Sequence, residues 1–273
     1  MLEVTRSTFI NAIKGLGVEA GDGLLVHSAI QFLGRPHGGI GMYYHGLCSI
    51  LNGYDSTTSQ VNITDPASIP LIEGTIAVPT FNFGFCSGKR YNPKSTPADG
   101  MGTFSEYIRG LSATRRTKHP IQSIAVIGKD AEDLAIRDTL SAFDPGSAFE
   151  RMLELEYKLL LLGADIQAVS LLHYSEQRAA LPYRYWKDFS GEVLTPEGWR
   201  TQTYRMYVRD LEIDPQIELY PVQKLLEDAG QWHSLPINYG HVSLCRLADF
   251  VAAVDYFLAK DPWALVTNRP EGV

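Results

Sequence analysis

A histidine and a glutamate three residues apart are the strongest candidates for chemistry in this sequence. His173 and Glu176 lie in the stretch AVSLLHYSEQRAALPYR, residues 168–184. Side chains at this spacing share one face of a helix, so the carboxylate can hydrogen-bond one nitrogen of the imidazole ring. Such a carboxylate fixes the tautomer and stabilises the imidazolium that forms when the other nitrogen takes a proton. The pair therefore indicates either a general base or a simple ion pair at a helix start.

The residues before this pair predict where it lies in the fold. The run KLLLLGA (158–164) is typical of a buried strand that ends at Gly163. The loop after such a strand reaches the carboxyl edge of the sheet, where ligands bind in open α/β folds. Ser170 is the predicted N-cap of the next helix, which favours a neutral His173 near the positive end of the helix dipole. A metal site is not expected, because the pair supplies only two ligands and no HExxH motif is present.

Two further segments contain residue types that bind anions. The segment TRRTKHP (114–120) carries Arg115, Arg116 and Lys118 before His119, and it is either a phosphate site or a solvated loop. In LLVHSAIQFLG (24–34), Ser28 follows a strand and is the predicted start of a helix that offers backbone N–H groups. His27 in the same segment is equally compatible with a core histidine. The sequence contains no Walker motif and no GxGxxG, so neither ATP nor NAD is indicated.

The elements that must position these residues alternate between strand and helix. Apolar runs predict strands near 24–26, 74–83, 123–128 and 158–164, with amphipathic helices at the amino terminus and at 247–262. Thr103 and Glu106 have capping-box spacing for a helix over 104–111, and 200–210 is expected to form a hairpin with GEVLT. These patterns predict one α/β domain over residues 1–273, with a mainly parallel central sheet flanked by helices. Residues of about 39–73, which include a helix near 42–51, form an excursion from this pattern.

Composition narrows the class of protein further. The chain has 273 residues, 45% hydrophobic and 20% charged, and a net charge of −7, which argues against nucleic-acid binding but is compatible with a cationic substrate. Three widely spaced cysteines are typical of reduced thiols. The amino terminus lacks a signal-peptide core, and no apolar run approaches the roughly 20 residues of a membrane span. We therefore expect a cytoplasmic monomer or homodimer that acts on a small molecule.

Four segments, taken in order, resemble the aminoglycoside 3-N-acetyltransferase family, also called the antibiotic N-acetyltransferase family. They are LLVHSAIQFLG (24–34), GTIAVPTF (74–81), MGTFSEYIRGLSATRRTKHPIQSIAVIG (101–128) and LLLLGADIQAVSLLHYSEQRAALPYR (159–184). The last is the most specific, because family members carry Thr-Leu-Leu-His-x-x-Glu at that place. The resemblance implies the family's own α/β fold, which is distinct from the common acetyltransferase fold. It also implies transfer of an acyl group from acetyl-CoA, or another acyl-CoA, to an amine.

The resemblance also implies roles for individual residues. His173 matches the family's base, Glu176 its orienting carboxylate, and Ser170 stands where members have a threonine near the thioester. Arg116 and His119 match a loop near the acceptor. The segments expected to line the CoA site contain His27, Ser28, Ala29, Thr80 and Ser123. Because no cysteine lies in the matched motifs, direct transfer is expected in preference to an acyl-enzyme.

The expected acceptor is a small molecule with a reactive amine. An amino sugar is expected, with an aminoglycoside and a nucleotide-linked amino sugar or another biosynthetic amine as alternatives. An acidic pocket would favour the polycationic aminoglycoside, and a basic pocket would favour the nucleotide-linked sugar. The excursion at 39–73 is expected either to select the acceptor or to be a surface loop. A CoA-binding module without turnover and a His/Glu metallohydrolase are the competing classes.

Overall fold

Apolar runs and amphipathic segments fold into alternating strands and helices, and the computed structural model describes residues 2–54 and 73–271. These residues form eleven β-strands: β1 (Glu3–Val4), β2 (Gly23–Ser28), β3 (Arg35–Pro36), β4 (Thr75–Pro79), β5 (Arg115–Arg116), β6 (Ile124–Gly128), β7 (Lys158–Leu162), β8 (Arg184–Thr195), β9 (Gly198–Arg209), β10 (His233–Ile237) and β11 (Gly240–Arg246). They also form eight α-helices: α1 (Arg6–Gly15), α2 (Gly41–Leu51), α3 (Gly102–Gly110), α4 (Ala131–Ala135), α5 (Ala148–Glu154), α6 (Leu172–Ala179), α7 (Tyr220–Asp228) and α8 (Leu247–Lys260).

The central sheet has seven strands in the order β10-β11-β7-β2-β4-β6-β5. Its three inner strands, β7, β2 and β4, run parallel to one another, whereas the strands on both flanks pair antiparallel. Strands buried on both faces are continuous apolar runs, which is why the sequence identified these inner strands. The predicted α/β architecture is confirmed, with its parallel strands at the centre of the sheet.

Helices cover both faces of the sheet. Alternate residues of β2 point to opposite faces, so Leu24 and Val26 join the core beneath α1, α2 and α3, while Leu25 joins the core beneath α4 to α8. The predicted apolar face of α8 is buried in that second core through Leu247, Phe250, Val251, Val254 and Leu258.

A long hairpin stands apart from the central sheet. Strands β8 and β9 pair antiparallel over their full lengths and form a sheet of their own. The hairpin packs through Val193 and Tyr204 on a small third core with Phe85, Tyr91 and Ile121. The predicted pairing of 200–210 with GEVLT (191–195) is confirmed. Strand β8 begins at Arg184, seven residues closer to His173 than GEVLT alone indicated.

The predicted start of α3 is wrong, whereas the predicted helix in the excursion at 39–73 is present. Thr103 does not cap α3, because the helix begins at Gly102 and the Glu106 carboxylate instead accepts hydrogen bonds from the Ala98 N–H and from Arg109. The helix expected within the excursion is present as α2. Residues 55–72 of the excursion, which is expected either to select the acceptor or to be a surface loop, lie outside the described residues.

The state of the cysteines and the length of the helices can both be compared with the sequence. Cys48, Cys86 and Cys245 are free thiols, as their spacing predicted. Across 2–54 and 73–271, no helix has both the length and the apolar composition required to cross a bilayer.

Candidate active site

The carboxyl ends of the parallel strands create the edge at which the candidate residues gather. Ser28, the last residue of β2, pairs with Leu162, the last residue of β7. Gly163 follows with φ of 69°, and a Cβ on it would lie 2.6 Å from the Ala29 carbonyl oxygen. Only glycine accepts both this backbone conformation and this close approach. The chain thus leaves β7 beside the end of β2 and continues to His173.

The predicted contact between the histidine and the glutamate is present. His173 Nδ1 lies 2.6 Å from Glu176 Oε2, on the first turns of α6. The Glu176 side chain is 1% exposed, whereas that of His173 is 35% exposed. Because Glu176 occupies Nδ1, the Nε2 nitrogen is the one left for exchange of a proton with a ligand. The pair is therefore a half-exposed imidazole held by a buried carboxylate.

Ser170 does not have the capping role predicted for it. Helix α6 begins at Leu172 with Leu171 at the N-cap position, and no side chain caps it. Ser170 contributes its carbonyl oxygen instead, which accepts a hydrogen bond from the His173 N–H at 3.1 Å. The Ser170 hydroxyl therefore makes no capping hydrogen bond to α6. It lies 3.5 Å from His27 Nε2, at the outer limit of a hydrogen bond.

Arg184 completes the environment of Glu176. Ala180 ends α6 in the left-handed region, with φ of 50°, and the turn returns the chain so that Arg184 reaches back to the helix. Arg184 Nη2 lies 2.8 Å from Glu176 Oε2, and this arginine side chain is 9% exposed. Arg184 Nη1 also donates to the Tyr207 carbonyl oxygen at 3.1 Å, which ties the hairpin to α6. One carboxylate oxygen thus serves both His173 and a buried arginine.

Two cavities meet at His173. Cavity A, of about 440 Å³, lies between His173, the hairpin and the segment around Gln216. Cavity B, of about 310 Å³, lies between His173, Ser170 and His27. Both are also lined by Phe81, Arg184 and Ile217. The imidazole therefore contacts two spaces that can hold two different ligands.

His27 belongs to the wall of cavity B. It is 6% exposed, and burial lowers its pKa to about 4, so the ring is neutral at pH 7. A neutral imidazole with its proton on Nε2 donates to Ser170 Oγ and leaves the serine hydrogen available to a ligand. His27 is thus both a buried histidine and a residue of the site.

Neither of the two residues that follow His27 is among those that line cavity A or cavity B. The Ser28 hydroxyl is buried with no hydrogen-bond partner among the described residues. The expected α-helix is instead a short 3₁₀ turn over Ile30–Leu33, and the Ala29 N–H donates to the Leu162 carbonyl oxygen at 2.9 Å. The expectation that this helix start offers N–H groups to an anion is therefore wrong for Ala29, because its N–H holds two strand ends together.

Thr80, Ser123 and Arg116 form a separate, interior cluster. Thr80 and Ser123 are fully buried and their hydroxyls lie 3.1 Å apart. Arg116 Nε donates to both hydroxyls, at 3.1 and 3.0 Å, and its terminal nitrogens donate to the carbonyls of Thr80 and Thr96. Burial lowers the pKa of the Arg116 guanidinium below its ordinary value. These three residues line neither cavity A nor cavity B, and their hydrogen bonds join the ends of β4 and β6. Arg116 also lines a separate cavity of about 720 Å³, together with Arg109 and Arg115.

His119 and its basic neighbours also lie away from His173. His119 is 4% exposed, accepts a hydrogen bond from the Gln122 N–H on Nδ1, and packs against the Tyr204 ring. Burial lowers its pKa to about 4, so it too is neutral at pH 7. Lys118 lies 3.9 Å from Asp138 in an exposed ion pair. The expectation that His119 contacts the substrate is not met in this structure, because its ring faces the third core.

This arrangement can transfer a proton between two ligands. A base with one nitrogen held by a carboxylate and the other nitrogen exposed can take a proton from a ligand in one cavity and return it to a ligand in the other. Within the part of the chain that the structure describes, no three side chains of His, Cys, Asp or Glu are grouped as a metal site would require.

The comparison with known proteins identifies the family. The sequence model of the aminoglycoside 3-N-acetyltransferase family matches residues 25–259. The chain belongs to this family. The match includes every candidate residue named above.

Individual members of the aminoglycoside 3-N-acetyltransferase family are distant in sequence. Aminoglycoside N(3)-acetyltransferase III of Salmonella sp is 28% identical over 220 residues, which cover 72% of this chain and 70% of the relative. The prophage-derived aminoglycoside N(3')-acetyltransferase-like protein YokD of Bacillus subtilis (strain 168) is 25% identical over 263 residues, covering 92% and 90%.

Solved structures share the fold. AAC-IIIb in a binary complex with CoASH superposes with a TM-score of 0.78 at 21% identity, covering 98% of this chain and 100% of that one. YokD superposes with a TM-score of 0.75 at 20% identity, covering 94% and 100%. The predicted fold of the aminoglycoside 3-N-acetyltransferase family is therefore confirmed.

Several residues of the site were not predicted. Arg184 was within the segment that suggested the family, yet its role was not assigned. The available signal was that a buried carboxylate requires a cation, and Arg184 is one of the first two arginines after Glu176. The hairpin residues that line cavity A, Met206 to Arg209, had no local signal, because the position of the hairpin is set by long-range packing.

Proposed function

We propose that this protein transfers an acyl group, usually acetyl, from CoA to the amine of a small molecule, with His173 as general base. The observation that carries the proposal is the position of His173 at the junction of two cavities, with Nδ1 held by the buried Glu176. Membership of the aminoglycoside 3-N-acetyltransferase family supports the reaction class. The CoASH named for AAC-IIIb supports CoA as the acyl carrier.

In the proposed reaction, His173 takes one proton from the amine and then gives it to the CoA sulfur. An ammonium has no lone pair, so the acceptor binds as the neutral amine or loses its proton to solvent before it reacts. The amine nitrogen attacks the thioester carbon, a C–N bond forms, and His173 Nε2 takes the proton released from nitrogen. The C–S bond then breaks, and the imidazolium returns this proton to the departing CoA sulfur. Such acid–base catalysis contributes about 10²- to 10⁴-fold.

Cavity B suits the acyl carrier. Its wall includes the apolar side chains of Pro79, Met101, Val169, Leu172 and Leu219, which match the narrow and mostly apolar arm of CoA. The Ser170 hydroxyl in the same wall is proposed to donate a hydrogen bond to the carbonyl oxygen as it gains negative charge. A serine in place of the family's threonine retains that donor. Cavity A then receives the acceptor amine.

Direct transfer is favoured over an acyl-enzyme. None of the three cysteines is among the residues that line cavity A or cavity B. Burial raises the pKa of the Cys48 thiol to about 12, and it also raises the pKa of Cys245 well above its usual range. Neither thiol is therefore a nucleophile at neutral pH.

Replacing Glu176 with glutamine tests the role of the carboxylate. The amide still accepts a hydrogen bond from His173 Nδ1 but cannot stabilise the imidazolium by charge, so we expect turnover to fall by about 10²-fold or more. The KM for acetyl-CoA is expected to change by only a few-fold, as measured by release of CoA thiol. Glu154→Gln removes an exposed carboxylate paired with Arg151 and serves as the control. If turnover and the pH–rate profile of Glu176→Gln match the wild type, Glu176 is only a structural partner.

A further inference from the structure

The charges around cavity A bear on which amine it accepts. Among the described residues that line it, Glu176 is the single carboxylate, while Arg184 and Arg209 are cations. Glu176 Oε2 is shared by His173 and Arg184, and Oε1 is buried with no hydrogen-bond partner among the described residues, so neither oxygen is exposed to an ammonium group in the cavity. The described wall therefore offers no free carboxylate to an ammonium group.

The rim of cavity A does not change this balance. Arg209 Nη1 lies 3.2 Å from Asp214 Oδ1, and both side chains are about half exposed. The other carboxylate oxygen of Asp214 accepts a hydrogen bond from Gln216 Nε2 at 3.1 Å. The Asp214 carboxylate is thus already paired with a cation and an amide.

The remaining wall is apolar or neutral. Aromatic rings suit the flat C–H face of a sugar or another ring, and the neutral amides of Gln122 and Gln216 suit hydroxyl groups. The apolar side chains that line the cavity include Phe81, Phe83, Phe143, Met206, Val208 and Ile217.

A polycation is poorly matched to such a wall. An aminoglycoside carries several ammonium groups, and only the one that reacts needs to be neutral. Each of the others would lie near Arg184 or Arg209 without a carboxylate to pair with, and a charged group that loses water without a partner binds weakly. An anionic group at the far end of the acceptor would instead meet the Arg209 side of the cavity.

We infer that the acceptor is a monoamine, such as a sugar with a single amino group, that carries no second cation and is neutral or anionic elsewhere. This inference rests on the proposed function, and it separates this chain from the aminoglycoside acceptors that its relatives are named for. Arg209, which is half exposed at the rim, is the residue expected to disfavour the polycation.

Three amines with the same ring test the effect of charge alone. They are para-(aminomethyl)benzoate, benzylamine and para-xylylenediamine, whose far ends are anionic, neutral and cationic. With acetyl-CoA, we expect kcat/KM for the anionic and neutral amines to exceed that for the diamine by about tenfold or more. Glucosamine and sisomicin extend the comparison to a monoamino sugar and an aminoglycoside, with glucosamine preferred.

Two arginine variants attribute the preference to the cavity. Arg209→Gln is expected to reduce the discrimination between the anionic amine and the diamine several-fold. Arg205→Gln is the matched control, since Arg205 lies on the same strand, is paired with Asp188, and does not line cavity A. It is expected to leave the discrimination unchanged.

The outcomes separate this inference from the proposed function. Equal or better use of the diamine and of sisomicin would overturn the inference while leaving acyl transfer intact. Failure of every amine to release CoA thiol would contradict the proposed function instead. In that case calorimetric affinities of the three ring amines for the CoA-bound protein still decide the inference: tighter binding of the diamine overturns it, and weaker binding supports it.

Discussion

Replacing His173 with alanine is expected to lower turnover by about 10²- to 10⁴-fold, the usual contribution of a positioned general base. The imidazole contacts both cavities, and its Nε2 is the nitrogen available to the amine because Glu176 holds Nδ1. Alanine has no proton acceptor, so the amine would depend on solvent for deprotonation. CoA affinity is expected to change by no more than a few-fold, because His173 forms only one side of cavity B. Turnover is measured by CoA thiol release and CoA affinity by titration.

A second histidine variant controls for the loss of an imidazole as such. His233→Ala changes an exposed histidine on edge strand β10, remote from the lining of both cavities, and is expected to retain wild-type activity. Activity of His173→Ala within a few-fold of the wild type would remove His173 from the mechanism.

Replacing Arg184 with methionine is expected to destabilise the protein by about 3–5 kcal/mol, because Glu176 would remain buried without its cation. Arg184 acts on the chemistry only through Glu176, so it is a positioning residue. We expect kcat to fall more than the acetyl-CoA KM rises, and the pH–rate profile to change, which a purely structural role would not produce. Urea unfolding and steady-state kinetics measure the two effects.

Two further variants identify the cause of the destabilisation. Arg184→Met combined with Glu176→Gln removes the unpaired charge and is expected to recover part of the lost free energy of unfolding. Arg178→Met breaks the exposed pair between Arg178 on α6 and Asp255 on α8, and is expected to cost only about 1 kcal/mol or less. If Arg184→Met costs no more than Arg178→Met, the buried pair does not stabilise the site.

Sequence patterns predicted those strands and helices whose apolar spacing lies within one continuous segment. The inner strands β2, β4 and β7 are apolar runs bounded by glycine or proline, and the exposed and buried faces of α8 follow its helical spacing. The antiparallel flanks of the sheet were not predictable, since the pairing of β6 with β4 depends on long-range packing. Thr103 had the right spacing for a cap, but the helix starts at Gly102, where φ of 84° is accessible to glycine.

The same distinction applies to the site. The contact between His173 and Glu176 is local to one helix, so spacing predicted it. The approach of Ser170 to His27 joins residues 143 positions apart, and only the parallel register of β2 and β7 brings them together. Thr80 and Ser123 lie in segments that resemble the family, yet their hydroxyls bind Arg116, which spacing along the chain does not reveal. Arg184 reaches Glu176 through the left-handed turn at Ala180.

The most direct test of the central claim is the fate of the acyl group. Wild-type protein is mixed with isotopically labelled acetyl-CoA, with and without a monoamine such as glucosamine, and both the amine and the intact protein are examined by mass spectrometry. Direct transfer at His173 predicts label on the amine in equal amount to the CoA released, with no acetylated protein before the amine is added. Acetylated protein that forms without the amine and then loses its label to the amine would contradict it.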